Sequence, residues 1–308
     1  MSRFNGLQKI GNKNKWKQQR RGGKMSLKMK WIIAISIIVV LLVVGWFLGT
    51  RLTVKKYEVS SSKIEKEIKL VQLSDLHFSE FGDGNEKLLT KVADLKPDVI
   101  AITGDLFDRQ GDSVPKELIK KLTKIAPVYY SPGNHEYDVK SAYEKDYKPF
   151  LEEAGVINVE DKTATIEVNG QKLQISGLRS SANLDYDYPY YEEGLAEIKK
   201  QQDAQYYQIL LSHMPDYFEL YVENGFDLTL SGHTHGGIVR IPYTNIGAIA
   251  PGPQRTLLPK YVYGEHSKDG KTMIISAGLG AGSLHQKAFP RLGNPYEIVA
   301  VTIKPESK

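Results

Sequence analysis

The sequence predicts an α/β domain preceded by a single helix long enough to cross a membrane. Three observations carry that prediction. From Val59 onward, short apolar runs of strand length alternate with amphipathic stretches of helical period. Five of the apolar runs end in polar clusters that hold Asp, Asn or His, and ligands of α/β sheets bind outside the carboxyl ends of the strands. Ahead of the domain, Trp31 to Leu48 (WIIAISIIVVLLVVGWFL) is apolar apart from Ser36 and Gly45.

Eighteen helical residues span about 27 Å, close to the hydrocarbon thickness of about 30 Å. Trp31 and Trp46 lie near the ends of the run, where indoles favour the membrane interface. Residues 1–56 carry 13 Lys/Arg and no Asp or Glu, and ten of the 13 precede Trp31. The positive-inside rule then keeps the N-terminus in the cytoplasm and places everything after Arg51 outside. Signal-peptide cleavage is the rival reading. The run is long for that, and Gly45-Trp46-Phe47-Leu48-Gly49 offers no small-residue cleavage site. Arg20-Arg21 is a twin-arginine pair, but Gly22-Gly23-Lys24 follows it. The expected organisation is a disordered basic tail over 1–30, an uncleaved signal-anchor over 31–49, a linker and lead-in over 50–67, and one folded domain over 68–308. The localisation implied is a single-pass cell-membrane protein with its domain outside the cytoplasm.

The formal charge of +5 belongs to the tail, because the rest of the chain has 28 basic against 36 acidic residues. This removes the main support for a nucleic-acid partner. The chain has no cysteine, which excludes disulfides and thiolate metal sites.

Within the domain, Ile68 to Leu73 reads as a strand ending at Ser74-Asp75-Leu76-His77. Asn85 to Leu95 reads as a helix, with Leu88, Leu89, Val92 and Leu95 on one face. Asp98 to Ile102 is a strand ending at Thr103-Gly104-Asp105-Leu106-Phe107-Asp108, and Val114 to Ile125 a helix with Pro115 in its first turn. Pro127 to Tyr130 is a strand ending at Ser131-Pro132-Gly133-Asn134-His135-Glu136, followed by a helix over Ser141 to Ala154. Asn169-Gly170 between two alternating runs is a hairpin signal. Tyr207 to Leu211 ends at Ser212-His213, and Gly225 to Leu230 at Ser231-Gly232-His233-Thr234-His235. Later strands are Met273 to Ser276 and Ile298 to Ile303.

The H-x-H pair puts two imidazoles on one face, about 6.5–7 Å apart along an extended chain. That spacing can serve two metals about 3.5–4 Å apart, as in two-metal hydrolytic sites. Each cluster taken singly also has an ordinary explanation. Asp75 suits a strand-end turn, Asp105 and Asp108 suit helix N-caps, and His213 suits a satisfied core histidine. Their common position at five strand ends, with five of the seven histidines among them, favours a shared site.

Together the five clusters resemble the calcineurin-like metallophosphoesterase superfamily, with its D-x-H, G-D-x-x-D, G-N-H-[DE], lone H and G-H-x-H motifs in that order. The resemblance covers about residues 68 to 303. It looks closest to the membrane-associated bacterial branch that is similar to YkuE and YaeI, on Ser212-His213-Met214-Pro215-Asp216 and Asn294-Pro295-Tyr296-Glu297-Ile298 among others. It implies a four-layer α/β/β/α sandwich of two mixed sheets flanked by helices. It implies two divalent metals (Mn, Fe or Zn), one held by Asp75, His77 and His235, the other by Asn134, His213 and His233, with Asp105 bridging. A metal-activated water would attack phosphorus, with His135 as acid or charge stabiliser towards the leaving group and Asp108 orienting that ring. The substrate class implied is a phosphoester, a phosphodiester or a lipid- or envelope-linked phosphate. The alternatives are an inactive surface-anchored binding protein on the same fold, or a metal-storage or sensor domain. The acidic, tyrosine-rich stretch 183–193 reads as a surface loop that could face substrate or membrane. Arg240 and Arg291 are candidate phosphate or headgroup contacts.

Overall fold

The computed structural model describes residues 25–109, 111–181, 187–242, 244–248, 257–280 and 291–306. It divides into two units, Met1–Leu42 and Val43–Lys308. In the first, the described residues are the start of helix α1 (Leu27–Gly49), whose apolar side chains are exposed. This helix is long and apolar enough to cross a membrane by length and composition. Most of the tail expected to be disordered, residues 1–24, lies outside the described residues.

The second unit is a pair of six-stranded mixed sheets. The first contains β1 (Leu52–Ser61), β2 (Ile68–Leu73), β3 (Val99–Thr103), β4 (Val128–Ser131), β5 (Ile157–Asn158) and β12 (Tyr296–Pro305), in the order β1-β12-β2-β3-β4-β5. β2 to β5 run parallel, and β12 lies antiparallel to β2. The second contains β6 (Lys162–Val168), β7 (Gln171–Leu178), β8 (Tyr207–Ser212), β9 (Leu228–Ser231), β10 (Gly264–Lys268) and β11 (Lys271–Ile275), in the order β10-β11-β9-β8-β7-β6. Its inner four strands are parallel and both edges antiparallel. The expected hairpin forms at Asn169-Gly170, both at positive φ and flanked by the Val168–Gln171 pair.

Side chains alternate across a strand, and the alternation explains the layers. Leu70, Val99 and Val301 of the first sheet share one core with Ile209, Leu211 and Leu230 of the second, so the sheets pack face to face. Val71, Ile100, Ile102 and Val128 point the other way, into α2 (Glu86–Asp94), α3 (Ser113–Leu122) and the helical segment after β4. That segment comprises α4 (Asn134–Asp138), α5 (Lys140–Ala142), a π-helical turn over Tyr143–Tyr147 and α6 (Lys148–Glu153). On the far side of the second sheet, Leu178 and Leu210 meet α7 (Asp187–Lys199) and α8 (Phe218–Glu223).

Three expectations need correction. The lead-in over 50–67 contains β1, a ten-residue edge strand paired with the C-terminal β12. The helix expected over 141–154 is broken by the π turn, where Tyr143 and Tyr147 are both buried and Pro149 restarts the helix. The stretch 183–193 is not all loop. Asp187 onward is helical, with Tyr191 buried, while Asn183 to Tyr186 lie outside the described residues.

Candidate metal centre

All five motif-bearing loops leave the carboxyl ends of β2, β3, β4, β8 and β9 at the same end of the two sheets. Gln72 ties the sheets together there, donating from Nε2 to Thr103 Oγ1 (2.9 Å) and to Ser231 O (2.8 Å). Close backbone approach makes two glycines necessary. A Cβ on Gly104 (φ +83°) would overlap the backbone of Gly133, and one on Gly232 would overlap Ser74 and Asp75. Asp75, His77, Asp105, His233 and His235 all adopt left-handed φ between 48° and 68°. Each such residue costs on the order of 1–3 kcal/mol and persists only where its surroundings hold it.

The surroundings are visible for each loop. The fully buried Glu136 accepts from the backbone N–H groups of Gly133 (2.7 Å), Asp105 (3.0 Å), Leu106 (2.7 Å) and Phe107 (2.8 Å). His233 N–H donates to Asp75 Oδ1 at 3.0 Å, and His135 N–H to Asp105 Oδ1 at 2.9 Å. Asn294 Nδ2 donates to His235 O at 2.6 Å. The Arg291 guanidinium donates to the carbonyls of Ala277, Gly280, Asn294 and His235.

Three overlapping triads result, with donor atoms within 4.8 Å of one another: Asp75, His77 and His235; His77, Asp105 and His135; and Asp75, Asp105 and His213. His233 meets Asn134 through Nδ1 and Oδ1 at 3.0 Å. The ring tautomers follow from the partners. His213 Nδ1 lies 2.8 Å from Thr103 O and His235 Nδ1 3.1 Å from Gly280 O, and only an N–H satisfies a carbonyl. The Nε2 atoms therefore face the shared space, as in metal-ligating histidines held by an outer partner, with His213 having a proton to lose there before it could bind a metal. His77 Nε2 and His235 Nε2 are 3.4 Å apart. Two ligands on one tetrahedral ion at about 2.0–2.1 Å would stand about 3.4 Å apart. Buried His213 Nε2 makes no hydrogen bond, although Asp105 Oδ2 lies 3.2 Å away. The donor set thus fits divalent cations with mixed nitrogen and oxygen ligands.

The electrostatics agree. Burial pushes the Asp105 carboxyl up, but His213, His135 and His77 outweigh it and hold the group well below the usual carboxylate range. Burial raises Asp75, with His213 opposing. Burial and His213 push His233 down to about 3. Burial and His77 lower His235 well below its ordinary value, so both rings are neutral donors. Burial would also lower His213, but Asp105 and Asp75 lift it to about 10.

The chain matches the calcineurin-like phosphoesterase family over residues 68–237, more than half its length. It belongs to that family. It is 31% identical to an uncharacterised metallophosphoesterase of Campylobacter jejuni, over 82% of this chain and 63% of that protein. It is 30% identical to one of Aquifex aeolicus over 82% and 92%, and 27% identical to YkuE of Bacillus subtilis over 77% and 79%. The chain thus spans less than two thirds of the first of these relatives. Membership of the family and the triads that could hold metal ions together support metal-dependent phosphoric ester hydrolysis.

All nine residues singled out in the motifs gather at this end of the sheets, but some partnerships differ from those expected. Asp108 places Oδ2 3.4 Å from Nδ1 of His77, and it is Asp138 that lies 3.4 Å from Nδ1 of His135. Arg240 and Arg291 are buried. Arg291 clamps backbone carbonyls, and Arg240 stacks 3.5 Å from the Tyr263 ring centroid. Glu136 and Asn294 were quoted within motifs without a role, and their role is to hold the loops. The signal for Glu136 was an acid placed immediately after G-N-H.

Proposed function

We propose that this chain is a membrane-anchored phosphoesterase using two metals, akin to the YkuE-like bacterial branch, with its domain outside the cytoplasm and a lipid- or envelope-linked phosphoester as substrate. The observation that carries the reading is the convergence of imidazole nitrogens and two carboxylates on one small buried space. Asp75, His77 and His235 would hold one ion and Asn134, His213 and His233 the other, with Asp105 between them. Bound there, two dications supply Lewis acidity, lowering the pKa of a water towards about 7 and neutralising phosphoryl oxygens. The chain does the rest. Thr103 O and Gly280 O fix the tautomers of His213 and His235, and Asp108 braces His77 from its far side.

His135 has a different position. Its ring is 29% exposed and stacks edge-on against His77 with centroids 4.9 Å apart. Asp138 lies 3.4 Å from its Nδ1, and its Nε2, 3.9 Å from Asp105 Oδ2 at the exposed edge of the triads, is placed to hold a proton for a departing alkoxide. The anchor follows from the apolar run and the basic tail. The test is a hydrolysis screen of the full chain in detergent, comparing phosphomonoesters, phosphodiesters and lipid-linked pyrophosphates with Mn, Fe and Zn. Turnover of none of them under any metal would refute the reading.

A further inference from the structure

Beyond α1 and the Met25 just ahead of it, the exposed large apolar side chains among the described residues are Ile157, Ile241, Ile246, Leu257 and Leu258. Four of these five belong to one feature that follows the H-x-H loop. Residues 239–242 and 244–248 pair with one another, with Ile241 N–H donating to Ile246 O (3.1 Å) and Ala248 N–H to Val239 O (2.8 Å). Leu258 N–H donates to Ala248 O at 3.1 Å, which ties the second apolar pair to the same tongue. The sequence carries no charge between Arg240 and Arg255. Leu257 is 74% exposed and Ile241 56%, left uncovered by the described residues.

The tongue stands on the segment 291–294. Arg240 N–H donates to Leu292 O at 3.0 Å, and a Cβ on Gly293 would meet Arg240 O at 2.5 Å and the Pro242 ring at 3.0 Å. The same segment carries the end of α1 that belongs to this unit. Gly293 N–H donates to Gly45 O at 2.8 Å, and Gly49 packs on Arg291. Trp46 and Phe47, on that last turn, are themselves more than half exposed. The tongue and the end of the apolar helix therefore rise from one support, and whatever solvates one meets the other.

We propose that Ile241, Ile246, Leu257 and Leu258 enter the surface of the lipid bilayer beside the end of α1. This inference rests on the reading of α1 as an anchor. An exposed apolar tongue, uncharged from Ile241 to Gln254 and with Arg255 as its one charge before Lys260, is an interfacial element, and a helix end with an indole is the place where the interface lies. The consequence reaches the metal centre. A Cβ on Gly237 would meet Gly247 Cα at 2.5 Å, and one on Gly247 would meet Gly236 O at 2.7 Å, so the tongue lies directly on the His233–His235 loop. The site is thereby held at headgroup level. Its substrate is an amphiphile whose phosphoester reaches the ligands while its apolar part stays in the bilayer.

The chain has no cysteine, so single cysteines report without background. Full-length Ile246→Cys and Leu257→Cys are labelled with an environment-sensitive fluorophore and reconstituted into phosphatidylglycerol–phosphatidylcholine vesicles. Ile38→Cys serves as the anchor control. Lys268→Cys, at the turn on the opposite end of the sheets, serves as the aqueous control. Lipid-borne quenchers should quench the labels at 246 and 257 at a depth of about 5–10 Å, with blue-shifted emission, and leave 268 untouched. Quenching at 38 but not at 246 or 257 would overturn the tongue and leave the anchor. Quenching at none of the three would overturn both. A blue shift at 246 that depends on protein concentration and resists lipid quenchers would make the tongue a seat for a second copy, and would also overturn the proposal.

Discussion

Replacing Glu136 by Gln tests whether the metal centre is held by backbone hydrogen bonding more than by packing. The carboxylate is fully buried and accepts four N–H bonds of 2.7–3.0 Å, two on each oxygen. Burial and the neighbouring Asp105 push its pKa up, while the bonds from Phe107 and Gly133 oppose this. Gln has the same shape but one acceptor oxygen and one NH2 group. Two backbone donors would then face another donor. A buried unsatisfied donor costs about 1–3 kcal/mol, so Glu136→Gln should destabilise by roughly 2–6 kcal/mol. A surface substitution stays within about 0.5 kcal/mol.

Urea unfolding of the metal-free protein reads this directly, through a lower midpoint at unchanged slope. The loops carrying Asp105 and Asn134 are the ones released, so metal content should fall as well. A midpoint shift equivalent to less than about 0.5 kcal/mol, with full metal content, would show that packing alone holds these loops and would refute the reasoning. Glu136→Ala orphans all four donors and should be worse than Gln. The reverse order would equally refute it.

Asp105→Asn should lose metal at both positions and most of its turnover, beyond the roughly 10–100-fold cost of losing a mere supporting partner; normal metal content by elemental analysis would remove Asp105 from its bridging place. His135→Ala should keep its metals and lose about 10²–10⁴-fold in rate on an alkoxide leaving group. The loss should be smaller on nitrophenolate, and equal losses would mean charge stabilisation. Metal uptake near neutral pH should release a proton from His213, which sits at about 10, and none from His233, which sits at about 3. Affinity should therefore rise with pH, and calorimetry in buffers of different ionisation enthalpy checks it. Protease added to intact cells should digest the domain and spare the basic tail, and protection of the domain until lysis would reverse the proposed topology.

The strand ends were legible because each couples a short apolar run to an Asp, Asn or His just past it, and β2, β3, β4, β8 and β9 all lie where those runs predict. The division into two sheets was not legible from periodicity. A run such as Ile209-Leu210-Leu211 is buried on both faces, so its pattern says nothing about which neighbour it pairs with. β1 was hidden for another reason. Lys55, Lys56 and Glu58 interrupt its alternation, and charged residues of this kind are what an edge strand carries to block further pairing. Its partner β12 lies at the other end of the chain, beyond any local signal. The third helix follows a regular pattern in sequence, and its break at the π turn over Tyr143–Tyr147, where both tyrosines are buried, has no local signal. Positions of ligands are written locally, whereas the partners of those ligands are set by the tertiary fold. That difference is why the seven ligand candidates could be picked out from the sequence, while Asp108, expected beside His135, lies beside His77 and Asp138 takes the place by His135.

The site also explains where this fold keeps its buried polar side chains. Five of the candidate ligands sit at left-handed φ, a region that Asp and His enter more readily than most residues but still uncommonly. A net stability of about 5–15 kcal/mol tolerates that strain only where other groups fix the loops. Gln72, Glu136, Arg291 and Asn294 are those groups, each making at least one hydrogen bond to main-chain atoms of the ligand loops or the strands beneath them. None of the four offers a donor atom to the triads. The apolar core positions the sheets, and the polar set converts five strand ends into one rigid donor array. Arg291 and Asn294 belong to the segment that also carries the end of α1 and the exposed tongue. The scaffold that holds His235 is thus continuous with the surface that would meet the membrane.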